Sequence, residues 1–106
     1  MSTQAKQVIK EFVRRVQLLY GNRLKRVVVY GSCARNEATP ESDIDLAVVL
    51  AGNVIPGKEI DQMIDIITDL DLEYGVLLSV YPVSEENYHS TNSPLLMNIR
   101  REGIPA

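Results

Sequence analysis

The chain has 106 residues, 45% of them hydrophobic and 24% charged, so it can bury one compact core but not two. Its formal net charge is −3, and no stretch approaches the roughly 18 consecutive apolar residues of a membrane span. The first ten residues are too polar for a signal peptide, and the single cysteine has no partner for an internal disulfide. We therefore expect one domain over residues 1–106, located in the cytoplasm and not in a membrane.

The charges are distributed unevenly along the chain. Eight of the 11 Lys and Arg residues lie within residues 1–35, whereas twelve of the 14 Asp and Glu residues lie within residues 36–99. This asymmetry fits either a basic surface for an acidic partner or ordinary solvated helix faces. The basic segment lacks an aromatic stacking surface, and its charges occupy several helix faces, which disfavours nucleic acid as a partner.

The first half of the chain predicts one helix and two strands. Apolar residues recur at helical spacing over residues 4–20. The β-branched run within Leu24–Tyr30 predicts a buried strand, and Ile44–Leu50 predicts a second. Between them, Cys33–Arg35 fits a single helical turn before a polar loop. This short connection allows the two strands to pair directly, either antiparallel or through a tight crossover.

The second half predicts a helix of about 14 residues, with apolar positions from Ile60 to Leu70. A third strand is predicted over Tyr74–Tyr81, ended by Pro82, and two short helices begin after Ser84 and at Ser93-Pro94. The order predicts an α/β fold, with a small mixed sheet and helices packed mainly on one face.

The most informative feature combines two short patterns, each attached to an apolar strand. Gly31-Ser32 follows the first strand, where glycine allows close backbone approach and the serine hydroxyl can donate to a phosphate. Asp43 and Asp45 flank the start of the second strand and project from one face, roughly 6 to 7 Å apart. Carboxylates at this spacing suit Mg²⁺ ions that also hold the phosphates of a substrate.

The neighbours of these residues have less specific explanations. Arg35 fits either a phosphate contact or a surface ion pair with Glu37 or Glu41. Ser42 precedes Asp43, and we include it with Gly31, Ser32 and Arg35 among the predicted phosphate-binding residues.

The stretch GSCARNEATPESDIDLAVV, residues 31–49, resembles the signature of the DNA polymerase β-like nucleotidyltransferase superfamily. In that signature a Gly-Ser pair is followed, after a spacer, by Asp-x-Asp, and here ten residues separate Ser32 from Asp43. The short chain resembles the minimal nucleotidyltransferase branch. The resemblance implies the polymerase β-like fold, with Gly31 and Ser32 on a nucleoside triphosphate and with Asp43 and Asp45 as catalytic residues that hold a two-metal Mg²⁺ site.

The resemblance also implies an activity and a partner. The chain would be an enzyme that transfers a nucleoside monophosphate, AMP from ATP, to a hydroxyl acceptor. The minimal branch further implies a toxin–antitoxin context with a helical HEPN-type protein as partner, and self-association stays open. The alternative is a catalytically impaired, antitoxin-like module that keeps the fold and binds nucleotide or partner.

Three residues depart from the pattern of the family. Cys33 and Asn36 stand where many relatives carry Arg and Gly. In active relatives an acid on a neighbouring strand completes the metal site, and we expect Ser79 to occupy that position here. Because a serine cannot replace an anionic ligand, Ser79 is the residue that favours the impaired alternative.

Overall fold

The computed structural model describes residues 1–106, which form one four-stranded sheet in the order β3-β2-β1-β4. The strands are β1 (Leu24–Tyr30), β2 (Ile44–Leu50), β3 (Leu78–Ser84) and β4 (Ile104–Pro105). β1 is antiparallel to both β2 and β4, whereas β2 and β3 are parallel. The mixed sheet confirms the predicted fold class, and β1 and β2 adopt the antiparallel of the two arrangements that the sequence allowed.

Five helices accompany the sheet: α1 (Thr3–Tyr20), α2 (Gly31–Ala34), α3 (Pro56–Tyr74), α4 (Glu85–Ser90) and α5 (Pro94–Glu102). The two long helices, α1 and α3, cover one face, and the short α4 and α5 form a smaller layer on the other. Helices are thus mainly on one face, as predicted. None of them is long and apolar enough to cross a membrane.

The central strand β2 presents its side chains alternately to two hydrophobic clusters, one on each face of the single sheet. Ile44, Leu46 and Val48 point toward α1 and α3, where they join a buried cluster of 16 residues. Ala47 and Val49 point toward α4 and α5 and join a cluster of seven. Because side chains alternate along a strand, Asp45 lies on the same face as Ala47 and Val49.

The third strand lies later in the chain than the sequence predicted. α3 continues to Tyr74 and ends at Gly75, which has a left-handed φ of 63°. The predicted start of this strand at Tyr74 is therefore wrong, because that residue completes the helix. Pro82 does not end the strand either, since β3 is an edge strand and the missing N–H costs no ladder hydrogen bond there.

A buried acid joins α1, α3 and the loop after β2. Glu59 is only 4% exposed, and its carboxylate accepts hydrogen bonds from the Arg23 guanidinium at 2.9 Å and the Tyr20 hydroxyl at 3.0 Å. Arg23 also donates to the carbonyl oxygen of Ala51 at 3.0 Å. Burial acts to raise the pKa of Glu59, but the hydrogen bonds from Arg23 and Tyr20 outweigh it and lower the pKa.

The C-terminal segment returns to the outer edge of β1. Ile104 pairs with Val29, and the Ala106 N–H donates to the carbonyl oxygen of Val27 at 2.9 Å. Gly103 permits this return, since a Cβ atom there would overlap with the Ile99 carbonyl oxygen and the Val28 side chain. The end of α5 is thereby fixed to β1, the strand that leads into Gly31.

Candidate active site

The candidate site lies where the α4/α5 layer stops and leaves one end of its sheet face uncovered. Asp45 is centred there, directly opposite Tyr30 on β1 and Ser79 on β3. Residues in register on neighbouring strands point to the same side, so these three side chains form one row across the sheet. The row joins β1, β2 and β3 at the point where β1 ends and the other two strands begin.

The two aspartates occupy different environments within this site. Asp43 is exposed just before β2, whereas Asp45 is half-buried within it. Burial raises the pKa of Asp45, and the nearby negative charge of Asp43 raises it further. The Ser79 hydroxyl and the Arg35 guanidinium act in the opposite direction without cancelling the shift. A half-buried carboxylate with a second negative charge nearby favours a cation between them.

Gly31 allows the Asp45 carboxylate to approach the turn after β1. Its φ is 70°, a left-handed conformation that side chains rarely adopt. A Cβ atom on Gly31 would also overlap with the Asp45 carboxylate. Conformation and space therefore both require glycine here, and the requirement brings the two sequence patterns into direct contact.

The short helix α2 gives the turn its shape. The Arg35 N–H donates to the carbonyl oxygen of Gly31 at 3.1 Å, and the Glu37 N–H donates to that of Ser32 at 2.9 Å. Asn36 has a φ of 60°, the left-handed conformation in which glycine is favoured and asparagine is tolerated. Asparagine can therefore occupy this left-handed position at lower strain than most side chains. Cys33 is buried against the α1/α3 core, away from any role as an exposed nucleophile.

Arg35 makes ion pairs at the edge of the site. Its Nη1 atom donates to Glu102 Oε1 at 3.0 Å, and its Nε atom lies 3.5 Å from Glu37 Oε1. The ion pair with Glu37 was one of the two alternatives that the sequence left open, whereas Glu102 was not foreseen. The charge of Arg35 also acts on Asp45, where it opposes but does not cancel the upward shift of the pKa.

Ser42 makes its contacts within the loop before β2. Its Oγ atom accepts a hydrogen bond from the Thr39 N–H at 2.9 Å. The side chain lines a cavity of about 260 Å³ between this loop and the start of α1, together with Cys33 and Asn36. In the contact with Thr39, Ser42 Oγ is the acceptor, so its hydroxyl can still donate a hydrogen bond, and the phosphate contact of Ser42 stays a prediction.

Two tyrosines belong to the site although the sequence analysis did not select them. Tyr30 faces Asp45, and burial, followed by the negative charge of Asp45 and the nearby Tyr81, raises the pKa of Tyr30 to about 12. Tyr81 pairs with Ala47, one position further along the same face of the sheet. Only the β1–β2 register reveals Tyr30, which otherwise appears to be one more apolar strand residue.

The third carboxylate is absent from the site. Ser79 lies opposite Asp45 and is exposed, as the predicted position required. Asp71, the nearest preceding acid, lies in α3, where its Oδ1 atom accepts a hydrogen bond from the Leu78 N–H at 2.9 Å. No group of three or more Asp, Glu, His or Cys side chains is arranged to hold a metal ion.

The two carboxylates of the site fit Mg²⁺ only as part of its coordination shell. Asp43 and Asp45 supply carboxylate oxygens, the ligands that Mg²⁺ prefers. Two carboxylates leave the remaining coordination positions to water and substrate phosphates, which is the usual arrangement for this ion with nucleotides. Asp43 and Asp45 would therefore bind Mg²⁺ more tightly when a nucleotide is bound to the ion than when the ion is free.

The structure thus brings the Gly-Ser turn beside the Asp-x-Asp strand, the two patterns on which the resemblance to nucleotidyltransferases rests. The chain belongs to the nucleotidyltransferase domain family, whose model matches residues 6–99. The predicted family and the predicted assignment to nucleotidyltransferase enzymes are thereby confirmed.

Curated relatives come from Methanocaldococcus jannaschii. One provisionally named protein adenylyltransferase is 38% identical over 96 residues, which cover 90% of each chain. A second protein of the same provisional name is 33% identical over 73 residues, 69% of this chain and 73% of the relative. Both alignments show family membership over most of the chain.

Solved structures share the fold. A protein provisionally described as a minimal nucleotidyltransferase has a TM-score of 0.61 and 29% identity, with 100% of this chain and 97% of that chain covered. A toxin–antitoxin structure with AMP-PNP has a TM-score of 0.63 and 15% identity, with 89% of this chain and 68% of that chain covered. At 15% identity the second match establishes the fold alone.

Proposed function

We propose that this chain, acting as a single domain, transfers AMP from ATP to a hydroxyl group of a partner protein, with Mg²⁺. One observation carries the proposal: Asp45 lies so close to Gly31 that a side chain there would overlap with its carboxylate. A phosphate-binding turn and a cation-binding pair in such contact can act on one triphosphate. The provisional naming of two relatives as protein adenylyltransferases supports AMP and a protein acceptor.

In the proposed reaction the acceptor oxygen forms a bond to the α-phosphorus, the bond from that phosphorus to the bridging oxygen breaks, and pyrophosphate leaves. Gly31 and Ser32 would hold the triphosphate, and Arg35 would contact it as a fixed cation. Asp43 and Asp45 would hold Mg²⁺, which supplies charge neutralisation and alignment of the phosphate oxygens. The acceptor proton must pass to a base. The carboxylates of Asp43 and Asp45 are the only bases that the described site offers.

The partner class rests on family resemblance and on fold. Two solved toxin–antitoxin structures share the fold, one with AMP-PNP and one described as an MntA–HpeT mutant. We propose a helical HEPN-type toxin as the acceptor, with a tyrosine hydroxyl as the modified group. A cytoplasmic location is part of the same proposal, since ATP is abundant there and Cys33 is a free thiol.

The experiment is a transfer of label from α-³²P ATP to the partner in the presence of Mg²⁺. We expect label on the partner with the wild-type chain and none with Asp43→Asn combined with Asp45→Asn. The matched control is Asp61→Asn with Asp65→Asn, which removes two acids from the exposed face of α3 and should transfer normally. If the wild type binds its partner and transfers nothing, the enzyme proposal fails.

Ser79 favours a second candidate function. An exposed serine in register with Asp45 leaves the metal site with two carboxylates, so the chain could act by binding its partner without turnover. In that case the wild type would neutralise a toxin in a growth assay, and the Asp43→Asn, Asp45→Asn double variant would neutralise it equally well. Loss of neutralisation in the double variant would instead favour the enzyme.

A further inference from the structure

The ion pair between Arg35 and Glu102 links two parts of the chain that are far apart in sequence. The Nη1–Oε1 distance is 3.0 Å across a separation of 67 residues. The Arg35 side chain is 44% exposed and that of Glu102 is 23% exposed. An ion pair this exposed contributes little to folding stability. Its contribution is therefore better sought in the orientation of Arg35 than in stability.

The backbone around Glu102 is anchored beside the candidate site. It is the last residue of α5, and Gly103 beside it donates its N–H to the Ile99 carbonyl oxygen at 2.8 Å. The next residue, Ile104, pairs with Val29 on β1. Because β1 leads directly into Gly31, the backbone at the end of α5 and the Gly-Ser turn are anchored to the same strand.

The two acids around Arg35 leave part of its guanidinium available. Nη1 donates to Glu102 and Nε lies 3.5 Å from Glu37 Oε1, whereas Nη2 makes no hydrogen bond. A guanidinium is a planar fork, so the hydrogen bond from Nη1 to Glu102 restricts the direction in which Nη2 points. Without such an anchor the long Arg35 side chain would sample many rotamers, including ones that fold back onto the nearby aspartates.

We infer that Glu102 is a positioning residue, which holds the Arg35 guanidinium in the orientation that contacts the triphosphate. This inference rests on the proposed function, because it requires the site to bind a nucleoside triphosphate. It gives the C-terminal segment a role in nucleotide affinity, in addition to its pairing with β1.

The test measures the dissociation constant of Mg²⁺·ATP by calorimetry, together with kcat and KM for transfer. Glu102→Ala should weaken ATP binding about fivefold to tenfold through KM, with kcat nearly unchanged, because an ordering interaction and not a reacting group is lost. Glu102→Gln keeps an acceptor oxygen and should lose less, about twofold. A general charge effect predicts the opposite sign, since removal of an acid near a bound anion should tighten binding in both variants.

Controls separate positioning from structure. Glu86→Ala removes an exposed acid on α4, away from Arg35, and should leave ATP affinity unchanged. In an Arg35→Gln background, Glu102→Ala should have no further effect, because the group that it positions is gone. Thermal unfolding of each variant shows whether it is folded. If Glu102→Ala is unfolded, the ATP affinity of Glu102→Gln provides the test instead.

The inference is overturned if Glu102→Ala binds ATP as tightly as the wild type or more tightly, or if its effect persists without Arg35. The proposed function fails separately, if the wild-type chain itself binds no Mg²⁺·ATP.

Discussion

The two faces of the sheet differ in what they contribute. The face under α1 and α3 carries a closed core of 16 buried residues, and β2 presents only apolar side chains to it. The face under α4 and α5 has a core of seven, which covers only part of the strands and leaves Asp45 half-buried at the open end. One strand therefore stabilises the fold with one set of alternate residues and places a carboxylate in the candidate site with the other.

The largest effect is expected at the open end. Asp45→Asn should reduce transfer about a thousandfold, since the loss of a charged ligand removes several kcal/mol of transition-state stabilisation. Folding stability should not fall, because the pKa of Asp45 is raised by burial and by Asp43, and asparagine removes that unfavourable charge. Transfer kinetics and thermal unfolding are measured on the same preparation. A fall in the unfolding temperature without loss of transfer would mean that Asp45 stabilises the fold and does not serve the site.

The next residue on the same strand should behave in the opposite way. Leu46 is fully buried in the α1/α3 core, so Leu46→Ala should lower the free energy of unfolding by about 2 to 5 kcal/mol through lost burial and a cavity. ATP affinity of the folded fraction should be unchanged. Leu77→Ala, at a leucine that is 57% exposed, is the matched control and should change stability by less than about 0.5 kcal/mol. Denaturant unfolding measures the stability of both variants. Equal losses of stability would contradict the assignment of Leu46 to the buried core.

A smaller, pH-dependent effect is expected at the Glu59 cluster. Glu59→Gln should cost about 1 to 3 kcal/mol near neutral pH, because the Arg23 guanidinium loses its anionic partner. The folded-state pKa of Glu59 lies below its ordinary value of 4.5, so its stabilisation is complete above that pH. It declines as the pH falls through the lowered pKa. The wild type and the variant should thus converge in acid unfolding curves, and a constant difference would contradict this.

The smallest effect is expected at Ser79, in the uncovered end of the sheet that holds Asp45. Ser79→Asp places a third carboxylate opposite Asp45 and should raise the affinity for Mg²⁺ about tenfold in calorimetry without nucleotide. Ser79→Asn, which has nearly the same shape and no charge, should leave the affinity unchanged. Unchanged affinity in the aspartate variant would mean that the side chain at position 79 does not reach the carboxylate pair.

The sequence predicted those parts of the fold that depend on local patterns. Strand alternation predicted that Asp43 and Asp45 lie together, and in the structure the charge of Asp43 raises the pKa of Asp45. The predicted helix start after Ser84 was confirmed, because Ser84 Oγ accepts a hydrogen bond from the Asn87 N–H. The start of β3 was wrong, because the apolar run after Tyr74 has no local signal that separates the end of a helix from the start of a strand.

Site residues that depend on tertiary pairing could not be found from the sequence. Tyr30 enters the site through its register with Asp45, and Glu102 through a contact with Arg35 across 67 residues. The position of Ser79 was predicted correctly in spite of the wrong strand start, because it required only the alignment of one residue with Asp45.

The presence of only two carboxylates has a consequence for the order of events. Without a third anionic ligand, the free protein should retain the ion weakly, so Mg²⁺ would arrive and depart with each ATP molecule. Chelation should then leave the folded protein intact and remove only its capacity to bind nucleotide tightly. The cation would be a component of the substrate, renewed at every turnover, and not a permanent part of the protein.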